Sequence, residues 1–131
     1  MTTAKLITVM LAEDHVVVRQ GLTALLNAAG LFKLVGEARN GREAVDQALS
    51  LKPDVILMDI AMPVLNGLEA TRQIVAGHPG TIVFLCSTYD VNDLPEDART
   101  SGARAYMHKE HFSPNTLRRL WDERDSGRFA S

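Results

Sequence analysis

The sequence is poor in cysteine, in surplus positive charge and in long apolar runs, and each shortage excludes a class of protein. Cys86 is the only cysteine in 131 residues, so no disulfide can close within the chain, which suits a reducing, intracellular setting. Lys and Arg number 14 against 16 Asp and Glu, a formal charge of -2. A strong nucleic-acid binder needs surplus cations to neutralise phosphates, so direct nucleic-acid binding by this chain is not expected. The apolar runs fall far short of the ~20 residues of a membrane helix, and the start, Met1-Thr2-Thr3-Ala4-Lys5, has no secretory apolar region. Repeats, low-complexity tracts and interdomain linkers are missing too. What is present is 46% hydrophobic residues and 23% charged, enough for one cytoplasmic domain with a real core.

That core is written as an alternation repeated five times. Leu6 to Leu11 is a continuous apolar run closed by Glu13-Asp14, the pattern of a strand buried on both faces. Val18, Leu22, Leu25, Leu26 and Ala29 follow at helical spacing and Gly30 ends the helix. Lys33 to Ala38 reads as a weaker strand, and Ala44, Val45, Ala48 and Leu49 form one helix face. Val55 to Met58 is a third strand ending at Asp59, with Leu68, Thr71, Ile74 and Val75 marking the next helix. Ile82 to Cys86 is a fourth strand, Asp90 to Ser101 is polar and helical in part, and Ala105 to Met107 is a short fifth strand. Ser113-Pro114 opens a last helix with apolar Leu117, Leu120 and Trp121. Strands alternating with helices predict an α/β fold: a five-stranded parallel sheet, doubly wound and flavodoxin-like. The apolar first, third and fourth strands belong in the centre, hence the order 2-1-3-4-5 and a crevice at the strands' carboxyl ends.

Those ends carry Glu13 and Asp14, Asp59, the hydroxyls Ser87 and Thr88, and Lys109. Three carboxylates in one crevice repel: at ~4 Å and an effective dielectric of ~20, each pair costs about 4 kcal/mol. Such a cluster persists by taking up protons, by opening to water, or by binding a cation. Oxygen ligands beside a place for phosphate favour Mg2+. A carboxylate held by Mg2+ and flanked by Lys and Ser is equipped to accept a phosphoryl group, with Asp59 as the attacking oxygen.

Glu13-Asp14-His15, Asp54 to Pro63, Asn66-Gly67, Ser87 and Gly102 to Lys109 together resemble the receiver domain of two-component response regulators. The opening of the first helix, His15 to Leu22, is most similar to the LuxR-type, helix-turn-helix subfamily. The resemblance covers residues 5–124, the expected receiver domain, and leaves 125–131 as a frayed tail or the start of a linker. It implies that Asp59 is the phosphoacceptor and that Asp14, Asp59 and the backbone carbonyl of Ala61 hold Mg2+, with Glu13 reaching the ion directly or through water. It further implies that Ser87 and Lys109 bind the phosphoryl oxygens and that Tyr106 changes rotamer as Ser87 moves. Spacing to Tyr89-Asp90 favours Ser87 over Thr88 for the hydroxyl. The implied partners are a histidine kinase or phosphotransfer protein and, on phosphorylation, a second copy of the chain. The face of helix four, strand five and helix five is the one that responds.

Other motifs read as structure. Gly36 to Gly41 has phosphate-loop spacing, but Arg42-Glu43 stands where Lys-Ser/Thr is needed. His108 and His111 sit close together, but no Cys lies nearby and the acids are needed elsewhere. Cys86 reads as a core thiol, Trp121 as packing and Arg118-Arg119 as a solvated face. The sequence departs from the family pattern between Asp93 and Thr100, where Pro95 interrupts the fourth helix and Arg99 replaces an apolar residue. A helix that starts late, or a short one, is expected there. Ala61 and Tyr89 flank the path of hydrolysing water, and Lys109 precedes Glu110 rather than Pro, so no cis bond is expected.

Rival readings are an aspartyl-nucleophile phosphatase of the haloacid-dehalogenase type, and a pseudo-receiver or stand-alone receiver that only binds protein. The first wants a further Asp two residues after the nucleophile, where Ala61 stands; the intact acid set argues against a pseudo-receiver. The favoured expectation is a signalling switch rather than an enzyme, the input half of a transcription regulator with its DNA-binding output outside this chain.

Overall fold

The computed structural model describes residues 6–130. The start Met1 to Lys5, with the boundary expected at Lys5, and the tail position Ser131 lie outside the described residues. Five parallel strands are present: β1 (Ile7–Ala12), β2 (Phe32–Ala38), β3 (Val55–Asp59), β4 (Ile82–Ser87) and β5 (Ala105–His108). They pair in the order β2-β1-β3-β4-β5, as the apolar patterning required. Strands buried on both faces must be central, and β3 and β4 are buried at every position.

Alternate residues of each strand feed two separate core layers. Met10, Ile56, Met58, Val83, Leu85 and Tyr106 face one layer, covered by α2 (Gly41–Leu51), α3 (Gly67–Gly77) and α4 (Asp97–Thr100). Val9, Leu57, Phe84 and Met107 face the other, covered by α1 (Val16–Ala29) and α5 (Pro114–Asp122). Helix ends follow local chemistry. Gly30 closes α1 in the left-handed region at φ 71°. Asn40 and Asn66 accept N–H bonds from Glu43 and Glu69 and so cap α2 and α3. Ser113 caps α5 through the Thr116 amide, with Pro114 in its first turn.

The fourth helix is short, as Pro95 predicts. A 3-10 turn, Val91–Asp93, precedes Pro95, and α4 holds only four residues. Segment 125–130 differs from the frayed tail expected of its polar composition. It folds back along β5, and Ala130 forms a parallel bridge with Ala105. No cis peptide occurs among the described residues.

Candidate functional site

The site is built at the carboxyl ends of β1, β3, β4 and β5, where parallel strands all deliver their last residues to one crevice. Glu13 and Asp14 follow β1. Asp59 is the last residue of β3, and its register partner on β4 is Cys86, which puts Ser87 one step beyond it. Ser87 closes β4 as a buried residue while Thr88 is exposed, so the strand keeps at the site the hydroxyl that spacing favoured. Lys109 follows β5 directly. Glu13, Asp14, His15 and Asp59 each present a ligand atom within 4.8 Å of the others.

Glu13 is 1% exposed and Asp59 3%, so two carboxylates sit out of water. The Lys109 ammonium donates to both oxygens of Glu13, at 2.8 and 3.0 Å, and stands 3.3 Å from Asp59 Oδ1. One cation thus serves two acids. Burial, and then the neighbouring Glu13, push the Asp59 carboxyl up from 3.8 to about 7, against the opposing pull of Lys109. Burial works against the charge on Lys109, but its hydrogen bond to Glu13 and the charges of Asp59 and Glu13 outweigh this and hold the ammonium above its ordinary range. Asp14 Oδ1 and Asp59 Oδ1 are buried and lack hydrogen-bond partners among the described residues. Buried carboxylate oxygens without hydrogen bonds are costly even beside a charged neighbour, and a hard cation with oxygen preference would relieve both at once. The donor set therefore fits Mg2+.

Ala61 lies in the loop after β3, with its side chain exposed. That loop is held by Gly67, whose N–H donates to the Ile60 carbonyl at 2.8 Å. A Cβ on Gly67 would stand 1.9 Å from the carbonyl oxygen of Asp59. The glycine is thus required by close approach of backbone to backbone. Gly67→Ala is expected to cost about 3 kcal/mol of stability, as overpacking against an atom that cannot swing aside. A fall in the denaturant midpoint at unchanged m-value would show it.

Tyr106 is 1% exposed and its hydroxyl donates to the carbonyl of Tyr89, beyond the end of β4. Burial pushes the phenol up to about 12. The side chain that the resemblance names as a switch therefore starts in an inward position, tied to the segment that follows Ser87.

Two residues that carry the resemblance, His15 and Arg19, were given no role at the site. His15 Nδ1 lies 3.2 Å from the Asp14 carboxylate and 3.5 Å from that of Glu13. Arg19, with a 14% exposed side chain, donates to the Glu13 carbonyl at 2.8 Å and stands 3.6 Å from the Glu37 carboxylate. Their i, i+4 spacing on the first turn of a helix entering from an acid pair was the available signal. The motifs read as structure keep that place. Gly36 is within β2, Cys86 is a buried thiol pushed up to about 12 by burial, and Arg118 and Arg119 pair with Asp122 and Glu123.

A doubly wound sheet with buried acids and a lysine at the carboxyl ends of its strands is the arrangement of a class of phosphoacceptor modules. The family model "response regulator receiver domain" matches residues 9–121, and the chain belongs to that family. It is 41% identical over 105 residues to the transcriptional regulatory protein YdfI of Bacillus subtilis, a match covering 80% of this chain and 49% of that protein. It is 35% identical over 109 residues to the chemotaxis protein CheY of Thermotoga maritima, covering 83% and 89%. Among solved structures, the signal receiver domain of the response regulator NarL from Mycobacterium tuberculosis superposes with a TM-score of 0.85 at 26% identity, covering 95% of this chain and all of that one. The response regulator domain of Thermotoga maritima CheB gives 0.81 at 32%, covering 92% and 98%. The chain spans about half the length of the transcription regulators and GacA proteins it matches. It is a receiver, the phosphoacceptor module of two-component signalling.

Proposed function

We propose that Asp59 is the residue that takes the phosphoryl group, presented as phosphohistidine by a histidine kinase or a phosphotransfer protein. The observation that carries this is the Asp59 carboxylate: buried, with Oδ1 lacking a hydrogen-bond partner and held only by the ion pair to the Lys109 ammonium 3.3 Å away. An Asp59 oxygen attacks phosphorus in line, the P–N bond breaks, and the imidazole leaves with its electron pair and takes up a proton. Asp14, Asp59, the carbonyl of Ala61 and Glu13 would hold Mg2+, which when bound neutralises charge on the phosphoryl oxygens.

Lys109 has a second task. It is engaged with Glu13 in this structure, and the doubly charged acyl phosphate on Asp59 would draw it across the 3.3 Å gap. Ser87 donates a hydrogen bond to the same group. Tyr106 then moves with the segment after Ser87, and the face formed by α4, β5 and α5 changes. Arg19, through the Glu13 carbonyl, positions the acids.

This makes the chain a signalling switch that promotes only its own phosphorylation and dephosphorylation, as the input part of a cytoplasmic transcription regulator that dimerises when phosphorylated. The regulators among its relatives support that reading, and no described helix is long and apolar enough to cross a membrane. Incubation with phosphoramidate and Mg2+ is expected to add the mass of one phosphoryl group to the wild-type chain and none to Asp59→Asn. Uptake by the asparagine variant, or none by the wild type, would sink the assignment.

A further inference from the structure

His15 stands where the chain turns from β1 into α1, and its imidazole does none of the work of a structural side chain there. It holds the N-cap position of α1 in an extended conformation, yet its side chain makes no capping hydrogen bond, where Ser, Thr, Asp or Asn would accept an N–H. At 68% exposure the side chain is not part of a core layer either. Its ring comes up to the acids instead. Nδ1 stands 3.2 Å from Asp14 Oδ1 and 3.5 Å from Glu13 Oε1. The closer approach is not a hydrogen bond, because Asp14 Oδ1 has no hydrogen-bond partner among the described residues. The nitrogen and the oxygen lie side by side rather than donor to acceptor.

Ligand atoms side by side are the pattern of a shared cation. Around an ion with bonds of ~2.1 Å, ligands at right angles lie ~3.0 Å apart and opposite ligands ~4.2 Å apart. The ligand atoms of Glu13, Asp14, His15 and Asp59 all lie within 4.8 Å of one another, and the His15 separations are near the first of those values. A second, independent observation comes from the buried side of the site. Asp59 is 3% exposed, and its Oδ1 has no hydrogen-bond partner among the described residues. Lys109 directs its hydrogen bonds at Glu13, which leaves the oxygens of Asp14 and Asp59 and the nitrogen of His15 to one ion. That donor set is not the one an oxygen-seeking ion selects. Mg2+ takes oxygen ligands and keeps its waters, whereas divalent ions later in the first transition row accept imidazole beside carboxylate.

We propose that His15 Nδ1 is a direct ligand in the acid site, and that it makes the site prefer a divalent transition ion such as Co2+, Ni2+ or Zn2+ over Mg2+. The inference rests on the reading that the acids hold a divalent ion, and it adds which ion they prefer. The oxygens of Asp14, Asp59 and Ala61 serve either kind of ion; the imidazole distinguishes them. Coordination through Nδ1 leaves the ring proton on Nε2, which gives the contact a signature of its own.

The test uses the full chain with Co2+ and Mg2+ as probes. His15→Asn keeps a side chain suited to the N-cap and puts an oxygen in place of the nitrogen. In calorimetric titration it is expected to weaken Co2+ binding by about tenfold or more and to change Mg2+ binding by less than about threefold. His15→Gln, a second oxygen substitution, should reproduce that change in preference. The proton NMR spectrum of the Co2+-loaded wild type is expected to show one solvent-exchangeable imidazole N–H resonance shifted far outside the diamagnetic range. It should vanish in His15→Asn and in Asp14→Asn. It should persist when His108→Gln and His111→Gln together remove the other two neighbouring rings, whose centres lie 5.1 Å apart. An unchanged ratio of Co2+ to Mg2+ affinity in both His15 variants would overturn the inference. So would a shifted N–H resonance that survives His15→Asn or Asp14→Asn, or one lost with His108 and His111. Each of those results leaves a divalent-ion site in place, whereas a wild type that binds neither ion would remove the acid site itself and this inference with it.

Discussion

Replacing Asp59 with asparagine is expected to make the metal-free protein more stable at pH 8, by about 2 kcal/mol, while abolishing phosphoryl uptake. The carboxyl is held at about 7 by burial and by Glu13, whereas in the unfolded chain it titrates near its ordinary value. Between those two values the folded state keeps a proton that the unfolded state has lost. Stability of the metal-free wild type therefore falls as pH rises through this window, and is lowest above 7. A shift of that size corresponds to a few kcal/mol at most; sharing of the Lys109 cation reduces what unfolding measurements will see. Denaturant melts with a chelator at pH 5 and pH 8 should show the loss in wild type and not in Asp59→Asn. Adding Mg2+ at pH 8 should close the gap from the wild-type side, because binding stabilises only a site that can bind. An asparagine variant less stable than wild type at pH 8 without metal would mean that the acid cluster carries no charge strain.

The fold was legible because its strands differ in how completely they are buried. Val55 to Met58 and Ile82 to Cys86 have no polar interruption, so both faces must be covered, and only central places in a doubly wound sheet do that. Pro95 likewise announced the shortened fourth helix through its missing N–H. Segment 125–130 was not legible, for the opposite reason. Its composition is polar, and what holds it is one ring under Arg99, an ion pair from Arg104 to Asp125 and two hydrogen bonds to a strand about 25 residues earlier in the chain. Local pattern carries no record of an edge pairing so short.

At the site, sheet order did most of the work. Once β1, β3, β4 and β5 are neighbours, the residues after them must meet, and Glu13, Asp14, Asp59, Ser87 and Lys109 follow without any knowledge of side-chain positions. What spacing could not supply is how the charges divide. The lysine lies 96 residues from Glu13 and donates to both of its oxygens, with Asp59 in second place. Nor could it show that Arg19 grips the Glu13 carbonyl, because that bond depends on how α1 enters beneath the acid pair.

That division of charge sets the second large effect. Lys109→Met is expected to destabilise the metal-free protein by about 3 kcal/mol at pH 8, since it leaves Glu13 and Asp59 buried without a counter-charge. With the ammonium gone, the pull that lowers the Asp59 carboxyl goes too, so its pKa rises further above 7. The penalty is therefore greatest at high pH and shrinks as pH falls and Asp59 takes up its proton. Mg2+ should restore part of the stability by supplying the missing charge. It should not restore the rate of phosphoryl uptake from phosphoramidate, which is expected to fall by about a hundredfold for want of a positioned cation on the phosphoryl oxygens. The double variant Asp59→Asn, Lys109→Met separates the two roles. If Lys109 stabilises the fold by serving both acids, removing Asp59 first makes the loss of the lysine cheaper, and the two changes are non-additive by about 1 kcal/mol or more. Strict additivity, or a lysine variant as stable at pH 8 as the wild type, would place the ammonium outside the balance that holds these carboxylates underground.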